Sequence, residues 1–313
     1  MFNLSVFLLT LQNVATLLIF IFIGYTLRHS GKVPKASVRT LSVLTANLFS
    51  PAYTINSLSK NFTVEKLGSN LLLLCFSVVL MLAVFVVARL AARFLGKSDF
   101  EKKSLTYLFS FPNIAFFGYP VIQGVFGDEV LAQFIVFCIP QTVAIHSYGY
   151  ALFADGKEKN SKKLFLSPQF MGTFIGCFLG LTGFSLPAFL QKVLDGAGAC
   201  MSPSSMLLAG LELGAFPILS LLMGAKPYLL GLARLVGIPL LFGIPLYLFG
   251  VRDLYLFLPL LMLSLPVGLN LVVYPENFGH DASENADLCF VSFLMSIITL
   301  PFLFTVIQTV SGL

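Results

Sequence analysis

The sequence predicts an all-α polytopic membrane protein of ten spanning helices, arranged as two five-helix halves of which the second is inverted. Three observations carry this prediction. Of the 313 residues 57% are hydrophobic and 11% charged, with a mean hydropathy of +0.92, a composition that no single soluble domain could cover with a polar surface. The apolar residues gather into ten windows of about 20 residues, the length that crosses a bilayer. Proline and glycine landmarks recur about 153 residues apart, the mark of an internal repeat.

The windows fall near 5–27, 37–58, 70–95, 104–125, 129–153, 168–186, 192–213, 228–249, 253–274 and 286–310. The N-terminal stretch "MFNLSVFLLTLQNVATLLIFIFIGYTLRHSGK" lacks the basic start and small-residue cleavage site of a secretory signal, so it reads as the first span. Windows seven and eight are the least regular: Gly196, Gly198 and Pro203 interrupt one, and Pro217 and Pro227 precede the other. The five cysteines, Cys75, Cys138, Cys177, Cys200 and Cys289, are odd in number and form no C-x-x-C pair, so reduced thiols are expected, with neither a disulfide framework nor a metal or other cofactor.

Basic residues collect in alternate loops. Arg28, Lys32, Lys35 and Arg39 follow span one; Lys97, Lys102 and Lys103, flanked by Arg89 and Arg93, follow span three; Lys157, Lys159, Lys162 and Lys163 follow span five. By the positive-inside rule these loops face the cytoplasm, which puts both termini outside in a multi-pass protein of the cell (inner) membrane. The loop "ENFGHDASENAD" has no Lys or Arg and does not bear on the orientation. The tract "DGKEKNSKK" is the kind that can touch nucleic acid, but a short loop between spans explains it as a topology signal, and no nucleic-acid partner is expected.

The connector 154–167 divides the chain into halves 1–155 and 156–313. Pro34 pairs with Pro187, Ser50-Pro51 with Ser202-Pro203, Pro112 with Pro266, and Phe126-Gly127 with Phe278-Gly279, each at the same place in the corresponding span. Pro140 and Pro301 are out of step. An odd number of spans per repeat makes the second copy enter the membrane from the opposite side.

Spans four and nine carry "SFPNIAFFGYP" and "SLPVGLNLVVYP". Pro112 has no N–H and its ring clashes with the carbonyl of Leu108; Pro266 does the same to Met262. Backbone freed in this way is tolerated at membrane depth only where protein or a water-filled cavity satisfies it, so both breaks are expected to face inward. Each second half-helix is expected to begin at its proline. The two half-helix N-termini then meet near the midplane from opposite sides, where their N–H groups favour an anion, while the C-terminal carbonyls of the first halves can hold a cation. Asn113 and Asn270 add amide donors, and a substrate with at least one carboxylate follows. The competing reading, that each proline is an ordinary kink, is weakened by the pairing of the two breaks, each with an Asn nearby and a Tyr-Pro after it.

At these residues the chain resembles the auxin efflux carrier family, over essentially its whole length. "FIFIGYTLRHSGKVPKASVRTLSVLTANLFSPAYTINSL" is similar to the family's opening G-Y-x-L and proline-bearing second span, "FPNIAFFGYPVIQGVFG" to its P-N-x-x-x-x-G-x-P fourth span, "LPVGLNLVVYPENFGHD" to its ninth and "FVSFLMSIITLPF" to its last. The resemblance implies ten spans in a five-plus-five inverted repeat, related in architecture to bile-acid:sodium symporters. Spans one, two, six and seven would form a scaffold and the other six a transport domain with its crossover at the two prolines. It also implies a homodimer through helices two and seven, and a carboxylate contact at Asn113. The short connector matches compact bacterial permeases better than the long-looped plant carriers.

Candidate binding residues are therefore Pro112, Asn113, Gly118, Gln141, Pro266 and Asn270. For ion coupling, His146 in span five is either a proton acceptor near neutral pH or a neutral histidine bonded to a neighbouring helix. Glu212 is either a coupling group or an interfacial carboxylate. Asp281 and Glu284 read as a capping box opening span ten, and Asp287 as an acidic first-turn residue or a coupling group. Gln12, Asn13 and Thr142 line a cavity or bridge helices. With no Walker loop, H-E-x-x-H or G-x-S-x-G, the expectation is no enzyme but a secondary transporter or facilitator of small mono- or dicarboxylates working by alternating access. The alternatives are a non-transporting ligand sensor on the same fold, a sodium-coupled organic-anion symporter, and a channel.

Overall fold

The computed structural model describes residues 3–154 and 168–312. Among them every element is helical apart from one isolated bridge between Pro112 and Val267. The order is α1 (Leu4–His29), α2 (Lys35–Leu44) continued through a π turn into α3 (Ser50–Asn61), α4 (Leu67–Leu95), α5 (Asp99–Ser110), a π turn (Ile114–Gly118) leading into α6 (Tyr119–Phe137), and α7 (Ile139–Ala144). After the connector come α8 (Pro168–Thr182), α9 (Ala188–Ala199), α10 (Met201–Leu213), α11 (Ile218–Leu222), α12 (Ala225–Leu232) continued through a π turn into α13 (Ile238–Leu248), α14 (Asp253–Ser264), α15 (Asn270–Asn277) and α16 (Ser283–Ser311). Five stretches, Leu4–His29, Asn70–Leu95, Ile114–Phe137, Ala225–Leu248 and Ser283–Ser311, are both long and apolar enough to cross a bilayer. With large apolar side chains such as Leu72, Val79, Val86 and Phe94 turned outward along α4, this is a multi-pass membrane protein. The four connector lysines and the boundary between the halves lie outside the described residues.

The helix ends follow local chemistry. Asn3 caps α1 by accepting from the Val6 N–H at 3.3 Å. Ser98 caps α5 by accepting from the Glu101 N–H at 3.1 Å, and Glu101 reaches back to the Lys97 N–H at 2.7 Å. Pro34 and Pro187 stand at the N-caps of α2 and α9, and four glycines recur 152 residues apart with left-handed backbone: Gly31 (φ 74°) with Gly183 (φ 65°), and Gly127 (φ 83°) with Gly279 (φ 81°). Gly127 breaks the stretch 114–137 between windows four and five, where a side chain would be strained.

One expectation is corrected at α16. Asp281 Oδ1 accepts from the Ser283 N–H at 2.9 Å, but the N-cap is Ala282 and Glu284 does not turn back to close a box. Its carboxylate instead lies 3.1 Å from Lys226 Nζ, because a lysine on another helix is a stronger partner than a backbone N–H. Asp287 sits beyond the first turn.

Two sets of helices pack among themselves, joined to each other by α1 against α16 and by α1 and α3 against α6. In the first, α1 lies against α10 and α3 against α8. These contacts are backbone to backbone: a Cβ on Gly24 would come 2.2 Å from the Leu207 carbonyl oxygen and one on Gly210 1.9 Å from that of Ile21, while Gly172, Gly176 and Gly180 meet Pro51, Leu58 and Phe62 in the same way. Gly198 of α9, an irregularity in window seven, faces Tyr53 and Asn56 of α3. In the second group α4 packs on α5 and α7, α13 on α14, and α12 and α14 on α16, around a core that includes Phe111, Phe117, Phe134, Phe257, Phe293 and Phe304.

Gly24→Ala and Gly210→Ala are each expected to cost roughly 1–3 kcal/mol through overpacking, whereas Gly196→Ala, which meets nothing within 4 Å, leaves stability unchanged. Thermal melting of the purified variants in detergent reads the difference.

Candidate binding site at the two helix breaks

α5 ends at Ser110 and α14 at Ser264, each a few residues short of where an uninterrupted span would run. Phe111 (φ −117°, ψ 99°) and Leu265 (φ −65°, ψ 150°) are extended, as residues before proline must be. The two extended segments cross and pair antiparallel: the Asn113 N–H donates to the Pro266 carbonyl at 2.8 Å and the Gly268 N–H to the Phe111 carbonyl at 3.0 Å. Each break thus supplies the donor that the other, with its proline, lacks. The second half-helices start at Ile114 and Asn270 rather than at the prolines. The prolines stand in the crossing itself, where a missing N–H leaves no orphan.

The carbonyls released from the first halves find side chains. Gln141 Nε2 donates to the Ser110 carbonyl, and Arg234 Nη1 donates to the Leu263 carbonyl at 2.7 Å. Both side chains are buried, Arg234 completely.

In front of the crossing lies a cavity of about 170 Å³ whose lining includes Pro112, Asn113, His146 and Asn270 from one helix group and Asn47 and Gln169 from the other. Asn113 is 5% exposed and its amide nitrogen has no hydrogen-bond partner among the described residues. Asn270 Nδ2 donates to the Tyr274 hydroxyl at 3.0 Å, and that oxygen lies 3.0 Å from His146 Nδ1. Among the described residues no carboxylate lines the cavity.

The two half-helix starts are not equivalent. Around α15 the Leu271 N–H returns to Gly268 at 3.0 Å and the Val272 N–H to Leu269 at 2.9 Å, so that end is largely self-satisfied. At the other start the Ile114 N–H turns back to the Pro112 carbonyl at 3.0 Å, and the N–H groups that follow have no side-chain cap and lie beside the unpaired Asn113 amide nitrogen.

A larger basin of about 1000 Å³ adjoins the cavity, lined among others by Arg28, Lys35, Arg39, Ser42, Glu212 and Glu276. Along α2 and along α15 its lining is one helical turn from that of the cavity. On the opposite side Tyr53 stacks on Tyr119 with ring centroids 6.0 Å apart, and the Tyr53 hydroxyl donates to Gln123 Oε1 at 2.6 Å.

The residues singled out in sequence therefore separate. Pro112, Asn113, His146 and Asn270 share the cavity. Pro266 and Gln141 lie behind it, holding backbone. Gly118 packs under the crossing, where a Cβ would come 2.5 Å from Leu265 Cδ1. Glu212 lines the basin, and Asp287 stands apart from both. Tyr274, Gln169 and Arg234 were not anticipated. Arg234 carried a legible signal: it is the lone formal charge in the window 228–249.

A family profile described as membrane transport protein matches residues 9–304. The chain belongs to this family. It is the auxin efflux carrier family that the motifs of spans four and nine resemble. The transporter is 25% identical over 304 residues to an uncharacterized transporter of Methanothermobacter thermautotrophicus, an alignment covering 95% of this chain and 98% of that protein. It is 27% identical over 219 residues to an uncharacterized transporter of Methanocaldococcus jannaschii, covering 66% and 70% of the two chains.

In the transporter, Gln141→Leu removes the donor to the buried Ser110 carbonyl. A buried acceptor left without a partner costs about 1–3 kcal/mol, and a lowered melting temperature of the purified variant is the expected result.

Proposed function

We propose that this transporter is a secondary carrier or facilitator of small organic anions, mono- or dicarboxylates, working by alternating access at the crossed breaks. The observation that carries the reading is the unpaired Asn113 amide nitrogen beside the helix start at Ile114, in a cavity that no carboxylate lines among the described residues. Both features favour a carboxylate and disfavour a cation. The basic residues of the basin, with Glu212 and Glu276 among them, would draw the anion toward the cavity.

A ten-span arrangement with inverted halves 1–155 and 156–313 accords with two sets of contacts. If the spans alternate, the ends of odd and even loops should meet only their own kind. Lys226 pairs with Glu101 at 2.8 Å and with Glu284 at 3.1 Å, joining the starts of spans eight, four and ten on one face. Lys66 pairs with Glu129 and Lys60 with Asp195 on the other, and there Asn3 Nδ2 lies 3.2 Å from Gln308 Oε1. An inverted repeat also exchanges the packing of spans one and seven with that of spans six and two, the two glycine-lined pairings α1 with α10 and α8 with α3. The matched left-handed glycines support the same reading. We assign the face of Arg28 and Lys226 to the cytoplasm and both termini to the outside of the cell membrane, and place a homodimer contact on helices two and seven. With the larger basin on the face assigned to the cytoplasm and the stacked rings of Tyr53 and Tyr119 on the other side, we read the conformation as inward-facing.

Uptake of labelled mono- and dicarboxylates into proteoliposomes tests the proposal. Saturable, trans-stimulated uptake is expected; tight binding without uptake would replace the carrier by a sensor, and unsaturable flux by a channel. A hydrogen bond to a charged group is worth about 1.5–3 kcal/mol, so Asn113→Ala should weaken apparent affinity for every accepted anion at least about tenfold, measured as KM or by ligand-induced stabilisation. His146 is the basic side chain among the described residues of the cavity; in His146→Gln, stimulation of uptake by an imposed proton gradient should disappear.

A further inference from the structure

Arg234 is an expensive residue in its position. It is 0% exposed, sits in the π turn between α12 and α13 inside an apolar stretch, and forms no ion pair with any carboxylate among the described residues. Such a charge persists in a membrane interior only where something compensates it. Here that is the end of α14: Nη1 donates at 2.7 Å to the Leu263 carbonyl, in the last turn of a 12-residue helix whose C-terminus is the negative end of its dipole.

Nε and the other Nη have no acceptor. An arginine used for its hydrogen-bonding fork would engage several donors; this one engages a single carbonyl, so what the position draws on is the positive charge. The first break provides the contrast, since the equivalent task at Ser110 is done by the neutral amide of Gln141.

Carbonyls at the C-terminal end of a broken transporter helix are the kind of place where a coupling cation binds. We infer that Arg234 is a tethered cation occupying that place at the second break, so that the transporter needs no sodium or other metal ion to complete its site. The guanidinium remains protonated at any physiological pH and cannot leave. It supplies fixed positive charge behind the crossing whichever way the carrier faces. The inference rests on the transport reading above, and its test has a readout independent of transport.

That test uses the purified full-length protein in two assays, thermal melting and proteoliposome uptake, each with sodium chloride or choline chloride. Wild-type melting and uptake are expected to be the same in both salts; a wild-type protein that is stabilised by sodium or transports only in its presence overturns the inference. Arg234→Gln should melt lower and transport at least about tenfold more slowly in choline, the effect of 1.4 kcal/mol. Sodium or a low concentration of guanidinium should recover both properties. A folded Arg234→Gln protein with wild-type behaviour in choline, or one that neither ion rescues, overturns it. If Arg234→Gln does not fold, Arg234→Lys decides: it keeps the charge and should be folded and sodium-independent, and sodium-stimulated or absent function in that variant overturns the inference. A protein that transports nothing in any salt would sink the carrier reading alone, because ion-specific recovery of the Arg234→Gln melt is still measurable.

Discussion

The constraint on which the rest of this structure depends is that no peptide N–H or C=O can be left alone in an apolar interior. Two prolines release backbone at mid-span, and everything near the crossing answers to that release. Asn113 N–H and the Pro266 carbonyl, Gly268 N–H and the Phe111 carbonyl, satisfy one another across the breaks. Gln141 and Arg234 take the carbonyls left over. Among the described residues, side-chain atoms still lack partners around the crossing, including the Tyr107 hydroxyl, Gln141 Oε1 and two nitrogens of Arg234, and of the unpartnered donors the Asn113 amide is the one beside a helix start in the cavity.

The two breaks differ in detail. Each gives one N–H to the other, but α15 turns two first-turn N–H groups back to Gly268 and Leu269, whereas at the other start only the Ile114 N–H turns back, to Pro112. One carbonyl end is held by an amide and the other by a cation. The positive charge of Arg234 stands behind α14, while the unpaired amide nitrogen of Asn113 stands beside the start at Ile114.

Much of this was legible in sequence because it depends on backbone chemistry. Proline at 112 and 266 requires a break wherever the chain goes, and Gly127 and Gly279 were legible as matched landmarks, though not as left-handed turns. Asn113, adjacent to its break, could be placed beside it on that ground alone. The misreadings concern choices between partners. Glu284 was expected to close a capping box, but the sequence does not say that Lys226 stands across from it. The half-helices were expected to start at their prolines, because a lone proline suits a first turn; only the pairing of two breaks turns those prolines into crossing residues. The network from Asn270 through Tyr274 to His146 joins residues 128 apart in the chain, and no local pattern announces it. Arg234 was visible as a charge in an apolar window, and its meaning waited on knowing that Leu263 lay opposite.

The closure opposite the basin is made differently from the helix contacts around it. The seams of α1 with α10 and α3 with α8 are glycine against main chain, surfaces that cannot slide without collision. Tyr53 and Tyr119 meet instead as two flat rings. A stacked pair is worth only about 0.5–1.5 kcal/mol beyond its buried area, and a tyrosine hydroxyl parted from Gln123 finds water at once. Two rings held this way can part without any main-chain collision, so of the contacts described this is the one that yields at least cost.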